Sequence, residues 1–148
     1  THRAGRGLPK WHSHAARRSL IPPGAVIKFL KVQSPRQVSG QMAEDRALAY
    51  LQQRGLKLIE RNFRCKGGEI DLILAEPASN LLVFVEVRQR SSQHYGGAAA
   101  SVTRGKQAKL IIAAQVFLQR YGDLPACRFD VIAIEDDAIE WIRQAFEA

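Results

Sequence analysis

The sequence predicts an α/β fold, a mixed sheet flanked by helices, and three observations carry that prediction. Two segments place apolar residues at helical spacing, five short runs are rich in β-branched and aromatic residues, and the order is α-β-β-β-α-β-β. From Gln41 to Arg54, Ala43, Ala47, Leu48, Tyr50 and Leu51 follow a helical stripe that Gly55 can close. The segment 56–63 reads as a first strand, followed by a turn at Lys66-Gly67-Gly68. EIDLILA (69–75) and LLVFVEVR (81–88) read as the second and third strands, separated by Pro77-Ala78-Ser79-Asn80. A Gly/Ser-rich loop covers 89–100, and an amphipathic helix runs from about Val102 to Tyr121. RFDVIAI (128–134) and a short run at 138–142 supply the last two strands.

Charge divides the chain. Of 22 basic residues, eight lie in 1–43, where there is no Asp or Glu; the remaining 14 face all 14 acids in 44–148. The excess of +8 therefore belongs to the leading segment. That segment also holds Pro9, Pro22, Pro23 and Pro35, so residues 1–38 read as a flexible basic arm or an added extension, and 39–148 as the folded domain. An Arg-rich, acid-poor leader also fits a transit peptide, against which its prolines and weak amphipathicity count. Within the domain, 44–109 carry 11 bases and 7 acids, and 110–148 carry 3 and 7, so positive charge gathers around the candidate site. No run approaches the roughly 18 apolar residues of a membrane span. Cys65 and Cys127 stand 62 positions apart, a pattern of reduced thiols in a cytoplasmic protein, and no disulfide framework is expected. His2, His12, His14 and His94 have no zinc spacing.

The candidate site follows from strand arithmetic. If the turn at 77–80 closes a hairpin, Glu76 pairs with Leu81, which sets Asp71 opposite Glu86 and Glu69 opposite Arg88. Opposed Cβ atoms lie only ~4.5–5.5 Å apart. Strict alternation also puts Glu69, Asp71 and Ile73 on one face. Two carboxylates meeting inside apolar strands repel, and a divalent cation removes the conflict. Mg²⁺ or Mn²⁺ fits such oxygen donors, and the backbone carbonyl of Val87 could add another. An ion there can activate water and stabilise charge on a phosphodiester.

Neighbouring residues keep two readings open. Arg88 could stabilise a phosphate as a fixed cation, and its guanidinium is a poor general base. Lys106 caps the apolar stripe of the second helix and could reach over the sheet, or stand as a solvated lysine. Glu44 could join the metal through water, or answer the helix dipole of the first turn. Glu69 is either part of the site or a surface ion pair with Arg88. Arg90, Arg104 and Lys109 are candidate phosphate contacts, with plain surface as the alternative. Asp130 reads as a structural ion pair or cap, and Phe129, Trp141 and Phe146 as core or interface. His94-Tyr95-Gly96-Gly97 could form a substrate loop.

GGEIDLI (67–73), FVEVRQR (84–90), YGGAAASVTRGKQAKL (95–110) and CRFDVIAIEDDAIEWIRQAF (127–146) resemble the YraN-like family of uncharacterised bacterial proteins, over about residues 40–148. That family is assigned to the restriction-endonuclease-like superfamily and is similar to archaeal Holliday-junction resolvases. The resemblance implies an αβββαβ core and a metal-dependent phosphodiesterase motif of the Asp…Glu-x-Lys kind. It matches Asp71 to the motif aspartate, Glu86 to the glutamate and Glu44 to the acid of the first helix. Arg88 stands where that superfamily usually has lysine, and Lys106 is the residue to compensate. The function expected is metal-dependent cleavage of DNA, with branched or repair intermediates preferred and a homodimer implied by the resolvases. The competing expectations are a DNA-binding module of the same fold that does not cut, and an assembly factor that needs no nucleic acid.

Overall fold

The structure is a computed structural model that describes residues 32–89 and 102–148. The basic arm up to residue 31, Arg90 and the loop carrying His94 lie outside the described residues. Helix α1 spans Pro35–Gln53, starting six residues before the predicted Gln41. Ser34 is its N-cap: Ser34 Oγ accepts the Gln37 N–H at 3.2 Å, and Gln37 Oε1 accepts the Ser34 N–H at 2.9 Å. Pro35 occupies the first helical position, where its missing N–H has no intrahelical partner to lose. Residues 35–38, read from sequence as the end of the arm, are therefore the first turn of α1.

Strands β1 (Lys57–Cys65), β2 (Gly68–Glu76) and β3 (Leu81–Gln89) follow, then α2 (Arg104–Leu118), β4 (Cys127–Glu135) and β5 (Ala138–Phe146). The strands lie side by side in chain order. All neighbours are antiparallel except β3 and β4, which run parallel because α2 carries the chain across between them. This is the expected mixed sheet flanked by helices. Its αβββαβ run is the arrangement the resemblance implies, with β5 added at the edge. β5 extends past the predicted Ile142. Gln144 takes a left-handed φ of 50° and its N–H is held by Asp130 Oδ1 at 3.0 Å, so the strand continues through an irregularity that breaks apolar alternation.

Each helix covers one face of the sheet. Leu110, Ala113, Ala114 and Phe117 of α2 pack with Ile70, Ile73, Phe84, Phe129 and Val131. Ala43, Ala47 and Leu51 of α1 pack with Leu72, Leu74, Val83, Val85 and Ile132. Covering both faces is what requires β3 and β4 to be almost continuously apolar. Among the described residues no helix is long and apolar enough to cross a membrane.

Candidate active site

The β2–β3 ladder runs from Glu76↔Leu81 to Leu72↔Val85, the register that the turn length predicts. One step further, Asp71 takes a different role. Its Oδ2 accepts the N–H of Val87 at 2.8 Å, so a side-chain oxygen stands where a backbone carbonyl would serve in a ladder. The strand also turns over here. Ile70 packs with the α2 cluster and Leu72 with the α1 cluster, although residues two apart should share a face. β1 turns over at the same level. Phe63 packs toward α2, whereas Arg61 meets Asp45 of α1 at 2.7 Å and Glu44 at 3.6 Å. Between Arg61 and Phe63 sits Asn62, with φ 51°, a conformation Asn adopts more readily than most residues.

The expectation that Glu69, Asp71 and Ile73 share one face is therefore corrected. Ile70 and Ile73 share the α2 face, so strict alternation between Glu69 and Ile73 is broken. Glu69 sits across the β1–β2 ladder from Arg64, 3.4 Å from its Nε and exposed, so the surface ion-pair reading holds with a different partner from the expected Arg88.

Glu86 keeps the regular alternation of β3, on the same face as Phe84, and its side chain is only 3% exposed. Lys106 reaches it from the first turn of α2, placing Nζ 2.9 Å from Oε1. Thr103 positions that turn by accepting the Lys106 N–H at 3.2 Å. Arg88 Nη1 approaches the same Oε1 at 3.7 Å. Burial first, and the nearby Glu86 second, push the Asp71 carboxyl from 3.8 up to about 7, against the pull of the Val87 N–H and Lys106. The Asp71 carboxyl thus titrates near neutrality. Glu44 is also raised, by burial first and by Asp71 second, while Asn62 and Arg61 oppose the shift.

Asp71 and Glu86 together offer a hard-oxygen donor set that a divalent cation fits. Val87 adds to it. The N–H and C=O of a strand residue point to the same edge, so a Val87 N–H turned to Asp71 directs its carbonyl to that side, beyond the last ladder pair. Among the described residues no three His, Cys, Asp or Glu side chains cluster closely enough to hold a metal together.

Of the other candidates, Arg104 begins α2 and is exposed, and Lys109 is exposed one turn after Lys106. Arg90 lies outside the described residues. Sequence reasoning missed Arg61, Asn62 and Arg64. Asn62 carried a signal, since Asn is a poor strand former inside a run read as a strand.

The model of the uncharacterised protein family UPF0102 matches residues 43–134. The chain belongs to this family. Among its relatives, a UPF0102 protein of Janthinobacterium sp. (strain Marseille) is 58% identical over 120 residues, covering 81% of this chain and 96% of that protein. One from Herminiimonas arsenicoxydans is 60% identical over 121 residues, with the same coverage of 81% and 96%. One from Ralstonia pickettii is 61% identical over 112 residues, covering 73% and 89%. Among solved structures, a repair endonuclease from Pyrococcus abyssi aligns with 71% of this chain and 40% of that one, at 17% identity and a TM-score of 0.33. A likeness that loose bears no weight on function, and the functional reading stands on the site.

Proposed function

We propose that this UPF0102 protein is a divalent-metal-dependent phosphodiesterase acting on DNA. The observation that carries the reading is the Asp71 carboxyl set against buried Glu86, with Lys106 and Arg88 flanking it. Asp71, Glu86 and the Val87 carbonyl would hold Mg²⁺ or Mn²⁺, with Glu44 joined through water. Bound there, the ion supplies Lewis-acid activation of water and of a phosphoryl oxygen. The protein's own groups do the rest. Lys106 and Arg88 leave Glu86 for the non-bridging oxygens of the scissile phosphate, which they orient and whose developing charge they offset. The Glu86 side chain is buried, which strengthens each of these contacts. Family resemblance adds branched or repair-intermediate DNA as the preferred substrate and a homodimer as the working form, and the two free thiols, Cys65 and Cys127, favour the cytoplasm as the place of action.

The test is nicking of supercoiled plasmid and of a synthetic four-way junction with Mg²⁺ or Mn²⁺. Cleavage is expected to fall at least a hundredfold, about 3 kcal/mol of transition-state stabilisation, in Asp71→Ala and in Glu86→Ala. Equal cleavage by wild type and both variants would sink the proposal. A second reading, a DNA-binding module that does not cut, is favoured by one observation: Lys106 and Arg88 already neutralise Glu86 without a metal. It predicts junction binding with no nicking under any divalent ion.

A further inference from the structure

We propose that a second phosphate-binding position lies beside the carboxyl pair, in the cleft between the β1–β2 turn and the first two turns of α2. This position rests on nucleic acid being the ligand, the reading proposed for the carboxyl pair, and does not require that the protein cut it. The cleft has a volume of about 420 Å³, within the roughly 300–1,000 Å³ of small-ligand sites. Arg64, Lys106 and Lys109 supply three cations to its lining. Glu69 is the one acid there, and Arg64 already holds its carboxylate at 3.4 Å.

Two features make this more than a patch of surface lysines. The first is the shared wall: Lys106, whose Nζ lies 2.9 Å from Glu86, also lines the cleft. A strand with one phosphate over the carboxyl pair and its neighbour in the cleft would meet Lys106 from both sides. The second is a floor fixed by backbone. Gly67 turns the chain with φ 100°, and at Gly68 a Cβ would run into the Lys109 carbonyl, so hairpin turn and helix meet main chain to main chain. Arg64 and Lys109 of its lining are exposed and long enough to fold onto an anion. The group recognised is a phosphate, either a diester link within a strand or a monoester at its 5′ end.

The test is fluorescence anisotropy of labelled DNA with the full chain in EDTA, so that cleavage cannot contribute, at stepped salt concentrations. Two probes share one sequence, one ending in a 5′-phosphate and one in a 5′-hydroxyl. Arg64→Ala/Lys109→Ala is expected to weaken binding about tenfold and to lower the salt slope by about 2. Loss on the phosphorylated probe alone assigns the monoester, and equal loss on both assigns the internal diester; either supports the cleft. Unchanged affinity and slope overturn it. So does an equal loss in Arg54→Ala/Arg143→Ala, whose side chains stack on Tyr50 and Trp141 of the α1 side, because the effect would then be net charge alone. A thermal melt of the double variant excludes unfolding, since both side chains are exposed. The two proposals fail separately: absent nicking with a weakened double variant removes the nuclease and keeps the cleft, and the reverse pattern removes the cleft alone.

Discussion

Glu86 and Asp130 are the two buried acids among the described residues, 3% and 1% exposed, and each interrupts an apolar strand in the middle of the sheet. Their surroundings differ in kind. Asp130 accepts four hydrogen bonds: from Arg128 Nε at 2.8 Å and Nη2 at 2.9 Å, from Trp141 Nε1 at 2.9 Å, and from the Gln144 N–H at 3.0 Å. Arg128 turns its other edge to Glu76, at 3.0 and 3.1 Å, and with Ser79 holds that carboxyl below its usual range. The network is closed. Glu86 instead has both its cations on one oxygen and a second carboxyl against it. Burial of an acid therefore does not mark a site; an acid facing another acid does.

The largest test of that contrast is Asp130→Ala. It leaves Arg128 and the Trp141 N–H without their shared acceptor, and urea unfolding is expected to register a loss of about 3–5 kcal/mol. A loss below about 1 kcal/mol would dissolve the distinction. At the other acid the sign reverses. In EDTA at pH 8, Asp71→Asn is expected to be more stable than wild type, because the amide can still accept the Val87 N–H but no longer repels Glu86.

That gain has a pH window. Asp71 titrates near 3.8 when unfolded and near 7 when folded, so the native state binds the extra proton and wild-type stability falls as pH rises between those values. Melts of the two proteins should therefore converge below about pH 4 and separate toward pH 8; parallel curves would mean the carboxyls are not coupled. Added Mg²⁺ or Mn²⁺ should stabilise wild type by about 2.7 kcal/mol at a hundred times Kd, and leave Asp71→Asn nearly unmoved. The smallest effect separates the two cations. Lys106→Met should cut DNA cleavage by about tenfold, whereas Arg88→Lys, which keeps a cation at its place, should stay within about threefold. The opposite ranking would make Arg88 the principal phosphate ligand.

The β2–β3 register was legible because a four-residue turn leaves little choice: Asn80 takes φ 55°, and its N–H returns to the Pro77 carbonyl at 3.3 Å. With the register came the meeting of Asp71 and Glu86. The turning-over of β1 and β2 was not legible, since alternation arithmetic assumes an unbroken pleat and Asn62 breaks it. That error misplaced Glu69 but spared Asp71, whose carboxyl points along the sheet toward Val87. The start of α1 was legible in principle, as Ser34-x-x-Gln37 is a capping pattern, but Pro35 was read as a breaker where it is an initiator. The direction of Lys106 depends on how α2 seats on the sheet, which no local pattern encodes.

That seating turns on a missing atom. With nothing beyond Cα at Gly68, the helix rests directly on the strand that carries Asp71, so the gap between the Lys106 ammonium and the acids is gauged by main chain. An alanine at this position would lift the helix and carry the lysine with it. A residue with no side chain of its own thereby sets the spacing on which the proposed chemistry depends, and drift at position 68 would alter it with every charged group still in place.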